Sequence, residues 1–284
     1  MGQGFGGDLG SIGLDGFATL YMEKLQQLKS LYRGRESEDE MVGVLPQCTF
    51  DLNPRAASID TPLHAYIPFR HIDHMHPDAV IAIAASKNNQ SLTEEIFDGE
   101  IGWLPWQRPG FDLGLKLEKM TSKNGRLAGI VLEGHGLFTW ADTSKACYAT
   151  TLRIIRRATV WLDENERQPA FGGPKTESRR PQERRAIAAN IMPVIRGRVG
   201  SDERKIGHFV DDPAVLEFVN SVELVSLAKI GTSCPDHFLR TKIRPIVLDA
   251  DVGTAPGKAT SPGKANLPGK EWAQRLDHAL SRYR

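Results

Sequence analysis

The chain has 284 residues, room for one large domain or two modest ones at roughly 150 residues each. Hydrophobic residues make up 40% and charged residues 25%, a globular balance that excludes wholesale disorder and a fibrous architecture. Lys+Arg 36 against Asp+Glu 35 leaves a formal charge of +1, so no global charge footprint invites nucleic acid or an anionic membrane.

The first residues are glycine-rich, without the basic-then-apolar order of a signal peptide. Gly2-x-Gly4-x-x-Gly7 matches a dinucleotide fingerprint literally, but no strand and no βαβ pattern surround it, so it carries no cofactor expectation. Phe17 to Leu31 has an apolar helical pattern. Residues 41–70 are short apolar pieces broken by Pro54, Pro62 and Pro68, and a helix is expected over Thr61 to Ile67, with Pro62 in its first turn. Ala79 to Ala84 is a short continuous apolar run, which predicts a strand covered on both faces. It falls far short of the ~20 residues that span a membrane. Gly129-Ile130-Val131-Leu132 predicts a second such strand and Leu137 to Trp140 a third apolar piece, while Thr143 to Asn165 has helical spacing at Ala146, Ala149, Leu152, Ile155, Ala158 and Leu162.

Buried strands alternating with amphipathic helices predict an α/β domain ending near residue 165. Gln168 to Glu183 has the composition of a linker; Arg184 to Pro245 is expected to be more helical, with a strand at Ile243 to Leu248. Pro-Gly-Lys recurs at 256, 262 and 268, a low-complexity stretch that cannot bury apolar area, and a short helix is expected over Glu271 to Tyr283. Cys48, Cys147 and Cys234 are odd in number and lack zinc-finger spacing, which fits a reducing cytoplasm better than a disulfide framework.

Chemistry concentrates in His71-Ile72-Asp73-His74-Met75-His76-Pro77-Asp78. Residues two apart on an extended backbone point to the same side, so His74 and His76 can reach one metal ion. His135, between Gly134 and Gly136 at the end of another strand, adds a third imidazole, and three histidines leave a fourth coordination position for water or substrate. His71, His208 and His278 have no such company and are expected to be ordinary polar positions. Asp60, beside Thr61 and Pro62, suits a helix N-terminal acid. Cys234 with His237 is half a metal site, for which a loop or packing role is expected, and the arginines at 153, 156, 157, 179, 180, 184 and 185 are expected on solvated faces.

Ser58-Ile59-Asp60-Thr61-Pro62-Leu63-His64, His74-x-His76-Pro77-Asp78-Ala79 and Glu133-Gly134-His135-Gly136-Leu137 together resemble the class II aldolase/adducin family. With Gly6-Gly7-Asp8-Leu9-Gly10-Ser11 and Ser233-Cys234-Pro235-Asp236-His237 in order, the chain is most similar to the aldolase part of bifunctional rhamnulose-1-phosphate aldolase/L-lactaldehyde dehydrogenase proteins, across most of residues 4–248. The resemblance implies a three-layer α/β domain with a mostly antiparallel central sheet over residues 1–167. A linker and helical C-terminal extension would follow over 168–250, and a Pro-Gly-Lys tail over 251–284. It implies zinc, or else manganese, cobalt or iron, on His74, His76 and His135. Asp60 would be the acid/base carboxylate, commonly a glutamate in the family, with Asp73 and Glu133 as spare candidates. Ser58 and the Gly6-Gly7 loop would contact a substrate phosphate. The implied reaction is cleavage of a phosphorylated ketose such as rhamnulose 1-phosphate into dihydroxyacetone phosphate and lactaldehyde; an epimerase or dehydratase on the same metal, or a non-catalytic adducin-like domain, are the alternatives. A cytoplasmic homo-oligomer, a tetramer by analogy, is implied as well, with a small sugar phosphate rather than nucleic acid or membrane as its partner. The family's Gly-Asn-x-Ser phosphate loop has no counterpart in the sequence, so part of the phosphate site is expected to be absent, and with no Rossmann domain no dehydrogenase activity is expected.

Overall fold

The structure, a computed structural model, describes residues 2–3, 10–50, 55–200, 203–248 and 270–283. The chain divides into two compact units. The first comprises Met1–Asn165 together with Ser233–Asp236, and the second Glu166–Thr232 with His237–Arg284. Among the described residues no helix is long and apolar enough to cross a membrane.

In the first unit, strands β1 (Gly2–Gln3) and β2 (Phe17–Ala18) form a small antiparallel pair. Helices α1 (Met22–Gln27), α2 (Glu38–Val44) and α3 (Thr61–Tyr66) follow, then β3 (His71–Met75), α4 (Asp78–Ala84) and α5 (Asn89–Phe97). Strand β4 (Ile101–Leu104), helix α6 (Phe111–Lys123), strands β5 (Gly129–Leu132) and β6 (Gly136–Ala141) and helix α7 (Ser144–Asn165) complete it. The central sheet has the order β3-β6-β5-β4; β6 runs antiparallel to both its neighbours and β4 parallel to β5.

The sheet is covered on both sides, which is why β5 reads as an unbroken apolar run and β6 as one interrupted only by the buried Thr139. Val131 and Leu137 face a core with Val80, Ile83, Phe97, Ile154 and Ala158, contributed by α4, α5 and α7. Ile130, Leu132, Phe138 and Trp140 face the opposite core with Leu63 of α3 and Leu113 and Leu117 of α6. Helix, sheet and helix make the three-layer, mostly antiparallel α/β arrangement expected.

The segment 79–84 corrects its expected strand: it is the helix α4. Apolar runs this short cannot be assigned by periodicity alone. Pro77 at the N-cap and Asp78 in the first turn start a helix, whose Ala82 is exposed while Val80, Ile81, Ile83 and Ala84 are buried. The helix expected from Phe17 forms only from Met22, because Phe17 and Ala18 pair with β1. On α7 the buried stripe is Cys147, Thr151, Ile154 and Ala158, while Leu152 of the expected stripe is exposed.

The second unit holds α8 (Pro181–Val199), α9 (Pro213–Val219), α10 (Leu224–Ile230) and α12 (Lys270–Tyr283). Helix α11 (Pro235–Arg240) begins in Ser233–Asp236 of the first unit. Asp212 caps α9 by accepting from the Val215 N–H at 3.0 Å, and Arg198 of α8 pairs with Asp277 of α12 at 2.8 Å. The strand expected at Ile243 to Leu248 does not form; Pro245 removes a backbone donor and no strand lies alongside among the described residues. Of the Pro-Gly-Lys repeats only Lys270 lies among the described residues, as the first residue of α12.

Candidate metal centre

Two local devices bring the three histidines together. On β3, His74 pairs across from Phe138 of β6 and stacks on its ring with centroids 4.0 Å apart and planes 8° from parallel. His76 follows at the strand's end, on the same side by the two-residue alternation. The third ring enters from the three-residue hairpin Glu133-Gly134-His135 between β5 and β6, closed by Leu132 opposite Gly136. Gly134 has φ +56, the left-handed conformation such a loop needs. Glu133 fastens the hairpin outward: its Oε1 accepts from Asn89 Nδ2 at 2.9 Å and its Oε2 from the Trp106 N–H at 2.8 Å. Gly136 has no space to spare, for a Cβ there would lie 2.4 Å from His76 Cδ2 and 2.7 Å from the Met75 carbonyl oxygen.

His74 Nε2 lies 3.2 Å from His135 Nε2 and 3.1 Å from His76 Nε2. Ligand atoms of all three lie within 4.8 Å of one another. Nitrogens about 2.0–2.1 Å from a tetrahedral ion stand about 3.3 Å apart, so the spacing fits one cation. The proton positions agree. His74 Nδ1–H donates to the Leu137 carbonyl at 3.1 Å and His76 Nδ1–H to Asp236 Oδ2 at 2.7 Å. Both rings therefore turn bare Nε2 lone pairs toward each other, an arrangement that a shared cation stabilises.

Burial pushes the His74 pKa well below the usual value, and the His135 and His76 rings push it further the same way. Burial brings His135 down to about 3, His76 acting with it and Asp236 against it. Both rings are neutral at pH 7, the state a metal requires. His64, edge-on to Phe138 with centroids 5.4 Å apart, is held down to about 4, again by burial and against the pull of Asp73.

Asp60 sits at the start of α3 but does not cap it with its side chain. Its Oδ1 is buried with no hydrogen-bond partner, and Oδ2 accepts from Ser58 Oγ at 3.4 Å. Burial raises its pKa, opposed by His76 and the Ser58 hydroxyl and aided by Asp236. Ser58 Oγ also accepts from the Asp60 N–H at 3.2 Å, so the serine braces the aspartate. Its place at the start of α3 thus leaves this carboxyl's buried oxygen without a partner.

The spare carboxylates point elsewhere. Asp73 faces α7, where its Oδ2 accepts from Thr151 Oγ1 at 2.9 Å, and Glu133 is spent on Asn89 and Trp106. Gly6 and Gly7 lie outside the described residues. Arg153 and Arg157 reach Glu100, and Arg184 reaches Asp211 at 2.8 Å. The sequence reading missed Asp236. Cys234, assigned to packing, is buried, and with His76 and Asp236 it forms a second cluster of potential ligands sharing His76 with the triad.

Residues 31–162 match the family model for the class II aldolase and adducin N-terminal domain, and residues 186–268 that for the class II aldolase second domain. Over 248 residues, 87% of the chain, it is 37% identical to the uncharacterized oxidoreductase YuxG of Bacillus subtilis (strain 168), of which it spans 36%. The N-terminal class II aldolase domain of a conserved Thermoplasma acidophilum protein superposes with a TM-score of 0.51 at 28% identity, covering 56% of this chain and 73% of that one.

Proposed function

The chain belongs to the class II aldolase/adducin family, and from that premise we propose that it is a metal-dependent carbon–carbon lyase acting on a phosphorylated ketose, with rhamnulose 1-phosphate as the favoured substrate. The observation that carries this reading is the convergence of His74, His76 and His135 Nε2 atoms at cation spacing, together with a buried carboxyl, Asp60, that has an unpartnered oxygen and feels the charge of His76. The donor set is all imidazole, which suits zinc first and manganese, cobalt or iron after it. A divalent cation there would supply positive charge against the negative charge that cleavage develops on the substrate's oxygens.

The residues of the chain do the rest. His74 and His76 present Nε2 inward because their Nδ1 hydrogens are engaged outward, and Phe138 holds the His74 ring by stacking on it. Asp60 Oδ1 takes the proton from the hydroxyl on carbon 4; the bond between carbons 3 and 4 breaks, carbon 4 becomes the aldehyde of lactaldehyde, and the electron pair moves toward the carbonyl at carbon 2. The proton is then returned to carbon 3, giving dihydroxyacetone phosphate. A raised pKa suits a group that must hold this proton between the two steps, and Ser58 orients it. The proposal extends to a homo-oligomer, a tetramer by family analogy, whose neighbouring copies help close the site. The oxidoreductase activity in the name of the Bacillus relative belongs to a protein of which this chain matches 36%, and is not part of the proposal.

The test is metal analysis of the purified protein with a dihydroxyacetone phosphate release assay over a panel of phosphoketoses. About one equivalent of divalent metal and chelator-sensitive release from rhamnulose 1-phosphate are expected. No turnover on any panel member rejects the lyase reading, and epimerised or dehydrated products would move the chemistry to another reaction at the same centre.

A further inference from the structure

Resting on the cation reading above, we infer that Asp236 is a positioning residue that selects the working tautomer of His76. The two are 160 positions apart in the chain, yet His76 Nδ1–H donates to Asp236 Oδ2 at 2.7 Å. Two residues before Asp236, Cys234 is buried, 5% exposed, with Pro235, whose φ is fixed by its ring, between them.

Stability does not explain the pairing. The Asp236 side chain is 53% exposed, and ion pairs at that exposure contribute about 0–1 kcal/mol. Its effect is on the ring. A neutral imidazole carries one hydrogen, on either nitrogen. With the hydrogen on Nε2, His76 donates to His74 Nε2, 3.1 Å away, and a proton fills the place where the cation would sit. With it on Nδ1, the acceptor is Asp236 and Nε2 faces inward bare. A carboxylate on the outer nitrogen favours the second arrangement and makes the inner lone pair more basic, and removal of such partners weakens metal binding about 10–100-fold. His74 has the same device in the Leu137 carbonyl, supplied by its own sheet. His76, past the end of β3, has no backbone acceptor at its Nδ1 among the described residues and takes the partner from residues 233–236.

The experiment uses the full chain with zinc as the probe. Long-range proton–nitrogen-15 spectra of the metal-free protein report which His76 nitrogen is protonated, and competition with a chromogenic chelator reports zinc affinity. Wild type is expected to show the hydrogen on Nδ1. Asp236→Ala is expected to move it toward Nε2 and weaken zinc about 10–100-fold, with little change in thermal unfolding, while Asp236→Glu recovers part of the loss. Should the alanine variant fold poorly, Asp236→Asn keeps the shape and an acceptor oxygen without the charge, and is expected to lose affinity to a smaller degree. An unchanged tautomer with zinc affinity within about twofold of wild type in the variants overturns the inference. If wild type takes up no cation, the proposed function fails instead, and the tautomer spectra alone still decide the role of Asp236.

Discussion

A single methyl group added at Gly136 tests the centre without altering a ligand. The Cβ of an alanine there would lie 2.4 Å from His76 Cδ2 and 2.7 Å from the Met75 carbonyl oxygen, where ordinary contact begins near 3.4 Å. The carbonyl belongs to β3, which is paired to β6 residue by residue from His71 opposite Ala141 to Met75 opposite Leu137, so the backbone yields poorly. The ring must therefore move by about 1 Å, five times the roughly 0.2 Å latitude of a metal–nitrogen bond. Overpacking of this kind costs about 1–3 kcal/mol of stability. The larger consequence is that His76 leaves the ligand set, and zinc affinity should fall at least about 100-fold, or about 2.7 kcal/mol. Chelator competition reads the affinity and thermal unfolding the stability, with Gly125→Ala, whose Cβ would meet nothing within 4 Å, as the control. A Gly136→Ala protein that binds zinc as tightly as wild type would show that His76 is not a ligand and refute the geometry on which the site is built.

His135→Ala should leave the protein without stoichiometric metal, and full retention would remove His135 from the ligand set. Asp60→Asn should lower dihydroxyacetone phosphate release at least about 100-fold, the usual scale of an acid/base group. The same variant should be more stable than wild type at pH 7 by urea unfolding, since a group whose folded pKa is raised loses its contribution as pH climbs through that value; equal loss of activity and stability would contradict this. For His64 and His135 the sign reverses. Their folded values of about 4 and about 3 lie below the ordinary 6.5, so between these values the unfolded chain binds more protons and the native state loses stability as pH falls. From pH 6.5 to 5 the metal-free protein should lose on the order of 2 kcal/mol for each ring, and a flat urea-unfolding profile over that range would refute it.

The elements legible in the sequence were those whose burial pattern is one-sided or bounded by clear stops. Strand β5 ends at Glu133-Gly134, where a left-handed glycine turns the chain, and α3 starts at the Asp60-Thr61-Pro62 signal. Segment 79–84 misled because an alanine-rich helix wedged between the sheet and α7 is apolar almost all round, and its composition then matches that of a covered strand. Ile243 to Leu248 misled for the opposite reason: its composition suits a strand, but a strand exists only where another offers its edge, and no run of residues states that by itself.

The same division runs through the site. His74 and His76 were legible because the two-residue alternation of a strand converts sequence spacing directly into a shared face, and His135 because flanking glycines mark a tight turn. What orients these rings was not legible. The Leu137 carbonyl is a backbone atom that any residue would supply, and its position follows only from the β3–β6 register. Asp236 is an aspartate among many, separated from His76 by most of the chain. Local pattern reports which side chains share a face, whereas a hydrogen's place on an imidazole depends on acceptors brought in by tertiary structure. A sequence can thus announce three neighbouring histidines and remain silent on whether their lone pairs point inward, the property on which the proposed cation site depends.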